Sequence, residues 1–170
     1  MDKQDWIIGL VERYEKPLCR YALSLAGDLA LAKDAVQETF LRLCKVDQRR
    51  LNGYEAAWLF RVCRSRVIDM QRKDKPMQVL THEQAATLPD PGHTPSESAQ
   101  QHDVRQILPR LMNRLPERQR EAIHLKFQQC LSYREIARVM KVSESNVGFL
   151  IHTGVKTLRD EMQQLQGAIS

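Results

Sequence analysis

The chain has 170 residues, of which 42% are hydrophobic and 28% charged, a balance that excludes a disordered or fibrous polymer and suits one ordinary domain or two small helical ones. No apolar run reaches the roughly 18 residues of a bilayer span, and Met1-Asp2-Lys3-Gln4-Asp5 does not open a signal peptide, so a cytoplasmic address without membrane insertion is expected. The net charge of +5 is uneven: residues 1–75 hold 15 Lys and Arg against 11 Asp and Glu, residues 76–102 none against three, and residues 103–170 11 against seven, so two basic units, suited to a polyanion or simply solvated, flank an acidic strip.

Ile7, Leu10, Val11, Tyr14, Leu18, Tyr21 and Leu25 recur at helical spacing, and Pro17 marks a break or kink, giving one long helix or two short ones. Asp28 is placed to cap a second helix, with an apolar face of Leu29, Ala32, Val36, Phe40 and Leu43 and a polar face of Asp34, Gln37, Glu38 and Arg42. A loop around Arg49-Arg50-Leu51-Asn52-Gly53 leads to a third helix over about 55–72. This helix buries Leu59, Val62, Cys63, Val67 and Met70 and turns Arg61, Arg64, Ser65, Arg66 and Arg72 outward.

Residues 76–102 hold four of the seven prolines, and Pro89-Asp90-Pro91-Gly92 cannot continue a helix, because proline lacks the amide donor and restricts its predecessor. The stretch reads as a linker. Its histidines, His82, His93 and His102, are too widely spaced for a metal site. Cys19, Cys44, Cys63 and Cys130 form no CxxC pair and read as reduced core thiols. No metal and no cofactor is expected. With no glycine-rich phosphate loop and no nucleophile beside a base, neither is an enzyme.

Beyond the linker, Val104, Ile107, Leu108, Leu111 and Leu115 mark a fourth helix, and Pro116 opens a fifth with Ala122, Ile123, Phe127 and Cys130 turned inward. Ser132-Tyr133-Arg134-Glu135 has the capping-box form, serine followed three residues later by glutamate, and opens a sixth. Strand-like alternation is absent, so the expected fold is all-α: two small helical domains joined by a flexible linker. From Tyr133 to about Leu158 the spacing suits a helix-turn-helix, with Ile136, Ala137 and Met140 on the first helix, Val142 in the turn, and Val147 and Leu150 or Ile151 on the second. Ser143 caps that second helix and Glu144, Ser145 and Asn146 form the first turn offered to base edges. An αα-hairpin that merely packs has the same spacing.

Leu115-Pro116-Glu117-Arg118-Gln119-Arg120-Glu121 followed by Leu131-Ser132-Tyr133-Arg134-Glu135-Ile136-Ala137 closely resembles the fourth conserved domain of bacterial sigma factors. Asp34-Ala35-Val36-Gln37-Glu38-Thr39-Phe40-Leu41-Arg42 resembles the polymerase-binding helix of the family's second domain, and Trp58 to Asp69 its promoter-reading helix. Both stand in the family's order, separated by a linker where the small extracytoplasmic-function members lack the third domain.

The resemblance implies a non-catalytic subunit that docks on core RNA polymerase and directs transcription initiation, in response to stress or an envelope signal. Residues 1–75 would bind polymerase and open the minus-ten element, 76–102 would tether, and 103–170 would read the minus-thirty-five element. Asp34, Gln37, Glu38 and Arg42 would meet the clamp helices of the largest polymerase subunit, and the carboxyl-terminal domain the flap of the second largest; without the resemblance the same face reads as ordinary solvated helix. Asn52, Tyr54, Trp58, Arg61, Arg64, Arg66 and Arg72 would engage the non-template strand, the aromatics stacking on bases and the arginines holding phosphates, with Trp58 equally suited to anchor the core. Arg134, Ser143, Glu144, Ser145, Asn146, His152 and Lys156 would read the upstream duplex. An anti-sigma protein is a further implied partner.

The second helix of the helix-turn-helix departs from the family. Gly148-Phe149-Leu150-Ile151-His152-Thr153-Gly154-Val155 leaves only His152, Lys156 and Arg159 as basic candidates, which predicts weak upstream phosphate contacts and a shallow salt dependence. Cys130 and Lys141 stand where many relatives have glycine; a positive φ at either costs on the order of 1 kcal/mol. Two rivals remain: a stand-alone helix-turn-helix regulator that binds operator DNA without polymerase, and a degenerate family member that no longer reads promoters.

Overall fold

The structure, a computed structural model, describes the backbone of residues 2–74 and 99–169 and the side chains of 2–74 and 104–168. Among these residues it is all-α. The elements are α1 (Lys3–Ala26), α2 (Leu29–Leu43), α3 (Gln48–Leu51), α4 (Glu55–Asp74), α5 (Ala99–Arg114), α6 (Glu117–Ile123), a π-helical turn (His124–Gln128), α7 (Tyr133–Met140) and α8 (Glu144–Ile169).

In the amino-terminal lobe α1, α2 and α4 pack mutually. The helix α1 runs through Pro17 without dividing, so of the two expected arrangements the structure has the single long helix, of 24 residues. It ends at Gly27, whose positive φ of 69° lets its N–H reach the Leu23 carbonyl at 2.9 Å. Asp28 then starts α2, its Oδ1 accepting from the Leu31 N–H at 3.1 Å as the sequence implied. Buried Phe60 of α4 meets Tyr14 and Tyr21 of α1 edge-on, with centroids 6.4 and 5.2 Å away. Such pairs contribute about 0.5–1.5 kcal/mol each beyond their burial. The predicted loop at Arg49–Gly53 is partly helical instead, because the Asp47 carboxylate accepts from the Arg49 N–H at 3.0 Å and caps the single turn α3.

In the carboxyl-terminal lobe α6 and α7 pack against α8, and Leu111 and Leu115 of α5 join Ile123 and Leu158 in a small cluster. Ala99 to His102, read from sequence as the end of the linker, are the first turn of α5; Pro89-Asp90-Pro91-Gly92, His82, His93 and the side chain of His102 lie outside the described residues. The π turn corrects another expectation. Its extra residue per turn, closed by the Gln129 N–H on the His124 carbonyl at 3.3 Å, shifts the register so that Leu125 is buried and Phe127 is 60% exposed. Cys130 is likewise exposed rather than inward. Nor do the cysteines form a common class of core thiol: Cys63 is buried and its thiol pushed up to about 12 by desolvation, Cys19 is half-buried, and Cys44 and Cys130 are exposed.

The two lobes share a core. Apolar side chains run without interruption from Trp6, Leu18 and Phe60 to Leu125, Ile136 and Val147, and α4 lies against α7. Helical periodicity cannot reveal that contact, because it joins residues about 60 to 85 positions apart.

Candidate nucleic-acid interface

The helix-turn-helix is built as its sequence requires. The Ser132 hydroxyl accepts from the Glu135 N–H at 3.2 Å while the Glu135 carboxylate accepts from the Ser132 N–H at 2.8 Å, closing the capping box at the start of α7. Lys141 makes the turn with φ 56°, and the Ser143 hydroxyl accepts from the Asn146 N–H at 3.1 Å to cap α8. Ile136, Ala137, Met140, Val147, Leu150 and Ile151 fill the space between the helices. Gly154 is where α8 crosses α6: a Cβ there would lie 2.6 Å from Ile123 Cδ1. Arg134, Ser143, Glu144, Ser145, His152 and Lys156 are exposed, and Asn146 is half-buried. Phe149, which the sequence reading did not select, projects from the same helix and is 64% exposed.

On the amino-terminal lobe, Asp34, Gln37 and Arg42 share the exposed side of α2. Glu38 is half-buried and ion-pairs with Arg66 of α4, which also reaches Asp69 at 3.6 Å. One residue expected to face polymerase and one expected to face DNA are thus partners of each other. Asn52 is exposed, Gly53 takes a φ of 80° beside it, and Arg61 and Arg72 are exposed on α4. Trp58 is half-buried against the core, in keeping with the anchoring alternative.

Arg64 requires correction. Expected outward with its neighbours, it is bound by the other lobe: its Nε donates to Glu121 Oε1 at 2.6 Å and its Nη2 to Oε2 at 3.4 Å. The Tyr21 hydroxyl donates to the same Oε1 at 2.6 Å. Burial, then the Glu121 charge and hydrogen bond, hold the Tyr21 phenol well above its ordinary range, so it remains a donor. Burial alone would lower the Arg64 pKa; the hydrogen bond and charge of Glu121 outweigh it and raise it. His124, one turn beyond Glu121, lies 5.7 Å from the Tyr21 ring and is pushed down to about 4 by desolvation and by the nearby Arg20. Tyr54, 46% exposed, carries the Arg138 guanidinium of α7 at 4.6 Å from its ring centre. Glu121, His124 and Arg138 were not selected from sequence. A glutamate followed directly by apolar Ala122 and Ile123, both turned inward, was the available signal for Glu121, since a carboxylate that shares their burial demands a partner.

Comparison with known proteins identifies this arrangement. Residues 10–76 match the family model "Sigma-70 region 2" and residues 105–158 match "Sigma-70, region 4". The chain is 30% identical over 141 residues to the ECF RNA polymerase sigma factor SigM of Bacillus subtilis, spanning 81% of this chain and 83% of that one. This chain belongs to the ECF RNA polymerase sigma factors. Another member, SigL of Mycobacterium tuberculosis, is 31% identical over 161 residues, 92% of this chain and 89% of its own. The fold is also that of CnrH in its complex with the cytosolic domain of CnrY, at a TM-score of 0.58 and 21% identity over 95% of this chain and 90% of that one. As an ECF sigma factor it acts in transcription initiation, with core RNA polymerase and promoter DNA as its partners, in a family that is not one of enzymes. Among the described residues no helix is long and apolar enough to cross a membrane.

Proposed function

We propose that this sigma factor divides its work at the limits read from sequence, with residues 1–75 docking on polymerase and opening the minus-ten element, 76–102 tethering, and 103–170 reading the minus-thirty-five element. Asp34, Gln37, Glu38 and Arg42 meet the clamp helices of the largest subunit, and the carboxyl-terminal lobe meets the flap of the second largest. Asn52, Tyr54, Trp58, Arg61, Arg64, Arg66 and Arg72 take the non-template strand; Arg134, Ser143, Glu144, Ser145, Asn146, His152 and Lys156 take the upstream duplex. The observation that carries this reading is the capped start of α8: its first turn is polar and outward while Val147, Leu150 and Ile151 seat the helix behind it, the presentation a major-groove helix needs. CnrH is held by the cytosolic domain of CnrY, and by that likeness we assign this chain an anti-sigma partner, released by a stress or envelope signal in the cytoplasm.

Run-off transcription with purified core polymerase on promoter-selected templates tests the reading. Start-specific transcripts are expected with the wild type, and Asp34→Lys with Glu38→Lys should weaken the polymerase complex at least tenfold. Duplex binding by the protein alone with no stimulation of initiation on any template would instead favour a stand-alone regulator.

A further inference from the structure

Two of the residues assigned to the non-template strand are engaged by side chains of the carboxyl-terminal lobe. Arg64 grips Glu121 through two nitrogens, and Tyr54 lies beneath Arg138. The partners mimic what DNA would bring. A carboxylate offers a guanidinium the same paired oxygens that a phosphate does, and a guanidinium held over a phenol ring occupies the face on which an unstacked base would lie.

We propose that Glu121 is an internal substitute for a DNA phosphate: held by Arg64 and Tyr21, it latches the carboxyl-terminal lobe over the promoter-reading face of α4. The latched chain then binds the minus-ten strand only weakly, and full DNA engagement requires the lobes to part. This rests on the reading of α4 given above, and adds to it a competitor built into the chain.

Three features support a latch rather than incidental packing. Glu121 is 4% exposed and its contacts cross from α6 to α1 and α4, so it serves the joint between lobes. The apolar core continues through the same joint, which gives closure a driving force. The charge pair contributes selectivity, because a buried ion pair adds little net stability while the loss of one partner strands the other. Opening therefore has a defined chemical trigger: a phosphate for Arg64 compensates the loss of Glu121, and water does so less well.

The test uses the full chain. Spin labels on the exposed Cys44 and Cys130, in a Cys19→Ala background, report the distance between the lobes by pulsed electron paramagnetic resonance. A single-stranded oligonucleotide carrying the minus-ten element reports binding. The wild type should give one narrow distance distribution and weak oligonucleotide binding. Glu121→Gln should broaden and lengthen the distribution and tighten oligonucleotide binding about tenfold. If Glu121→Gln does not fold, as judged by its helical circular dichroism, Tyr21→Phe carries the same test, since it removes only the hydroxyl and should open the lobes to a smaller extent. A distribution that is already broad in the wild type, or that neither substitution changes, overturns the latch. Lobes that part without any gain in oligonucleotide affinity overturn the assignment of α4 and, with it, the phosphate substitution.

Discussion

The two lobes differ in how they hold their cations and how they make their turns. In the amino-terminal lobe both positive-φ positions are glycine, Gly27 and Gly53, and the arginines at the centre of α4 are engaged, Arg64 by Glu121 and Arg66 by Glu38 and Asp69. In the carboxyl-terminal lobe the positive-φ positions are Cys130 and Lys141, and the recognition helix α8 presents few basic groups, His152, Lys156 and Arg159. The first lobe has the charge to bind a polyanion, but at the centre of α4 it holds Arg64 and Arg66 in internal pairs and leaves Arg61 and Arg72 exposed. In the second lobe the cations lie mostly outside α8, so that helix has little to hold. Moving the lobes apart should therefore raise the DNA affinity of α4 and leave that of α8 nearly unchanged, because only α4 has partners to release.

The largest effect that bears on this contrast is expected at the joint. His124 lies neutral among Arg20 and Tyr21 of α1, Glu121 on its own helix and Gln129, whose Nε2 is 3.3 Å from its ring, with Arg64 of α4 beyond Glu121. Its ordinary value of 6.5 falls to about 4 in the closed fold. A lowered histidine pKa means the closed state binds fewer protons than the opened or unfolded one. Its contribution is intact above 6.5 and lost as pH falls from 6.5 toward 4. Between pH 7.5 and 5 the loss should be about 2 kcal/mol. Urea unfolding midpoints across that range should drop for the wild type and flatten for His124→Gln. Parallel pH curves would detach His124 from the joint.

A second contrast sets one glycine of each lobe against the other. At Gly9 in α1 an added methyl group would have nothing within 4 Å, whereas at Gly154 the same methyl would meet Ile123 and Gln119 of α6. Alanine in a helix interior gains about 1 kcal/mol over glycine, and overpacking costs about 1–3 kcal/mol. Gly9→Ala should therefore stabilise by about 1 kcal/mol and Gly154→Ala destabilise by about 1 kcal/mol in thermal unfolding. Equal gains would show that α8 can move off α6 freely.

Much of this was legible in the sequence. The helices, the caps at Asp28, Ser132 and Ser143 and the helix-turn-helix follow from short-range spacing and side-chain oxygens that satisfy exposed N–H groups, and the structure has them. What spacing missed has specific causes. The π turn at His124–Gln128 breaks the 3.6-residue period, so Phe127 points outward where the count put it inward. Asp47 caps a turn too short to show a period at all. Glu121 is a polar residue on an apolar face, and its partners Tyr21 and Arg64 lie 100 and 57 positions away. Outwardness of Arg64 was inferred from one lobe alone, and the second lobe reversed it.

The smallest expected effect tests the turns themselves. Lys141 takes φ 56° and ψ 48° as the cap of α7, with its N–H on the Ala137 carbonyl, and its side chain is exposed. Left-handed backbone costs a residue with a Cβ about 1–2 kcal/mol, and glycine recovers that while losing about 0.5–1 kcal/mol to its freer unfolded chain. Lys141→Gly should thus stabilise the carboxyl-terminal lobe by about 0.5 kcal/mol, seen as a small rise in the thermal midpoint. Gly27→Ala, at the matching cap of α1 with φ 69°, should lower it by a comparable amount, since alanine takes on the strain that Lys141 already bears. A fall on Lys141→Gly would mean that the lysine side chain contributes an interaction there, and that the turns of the two lobes differ in more than strain.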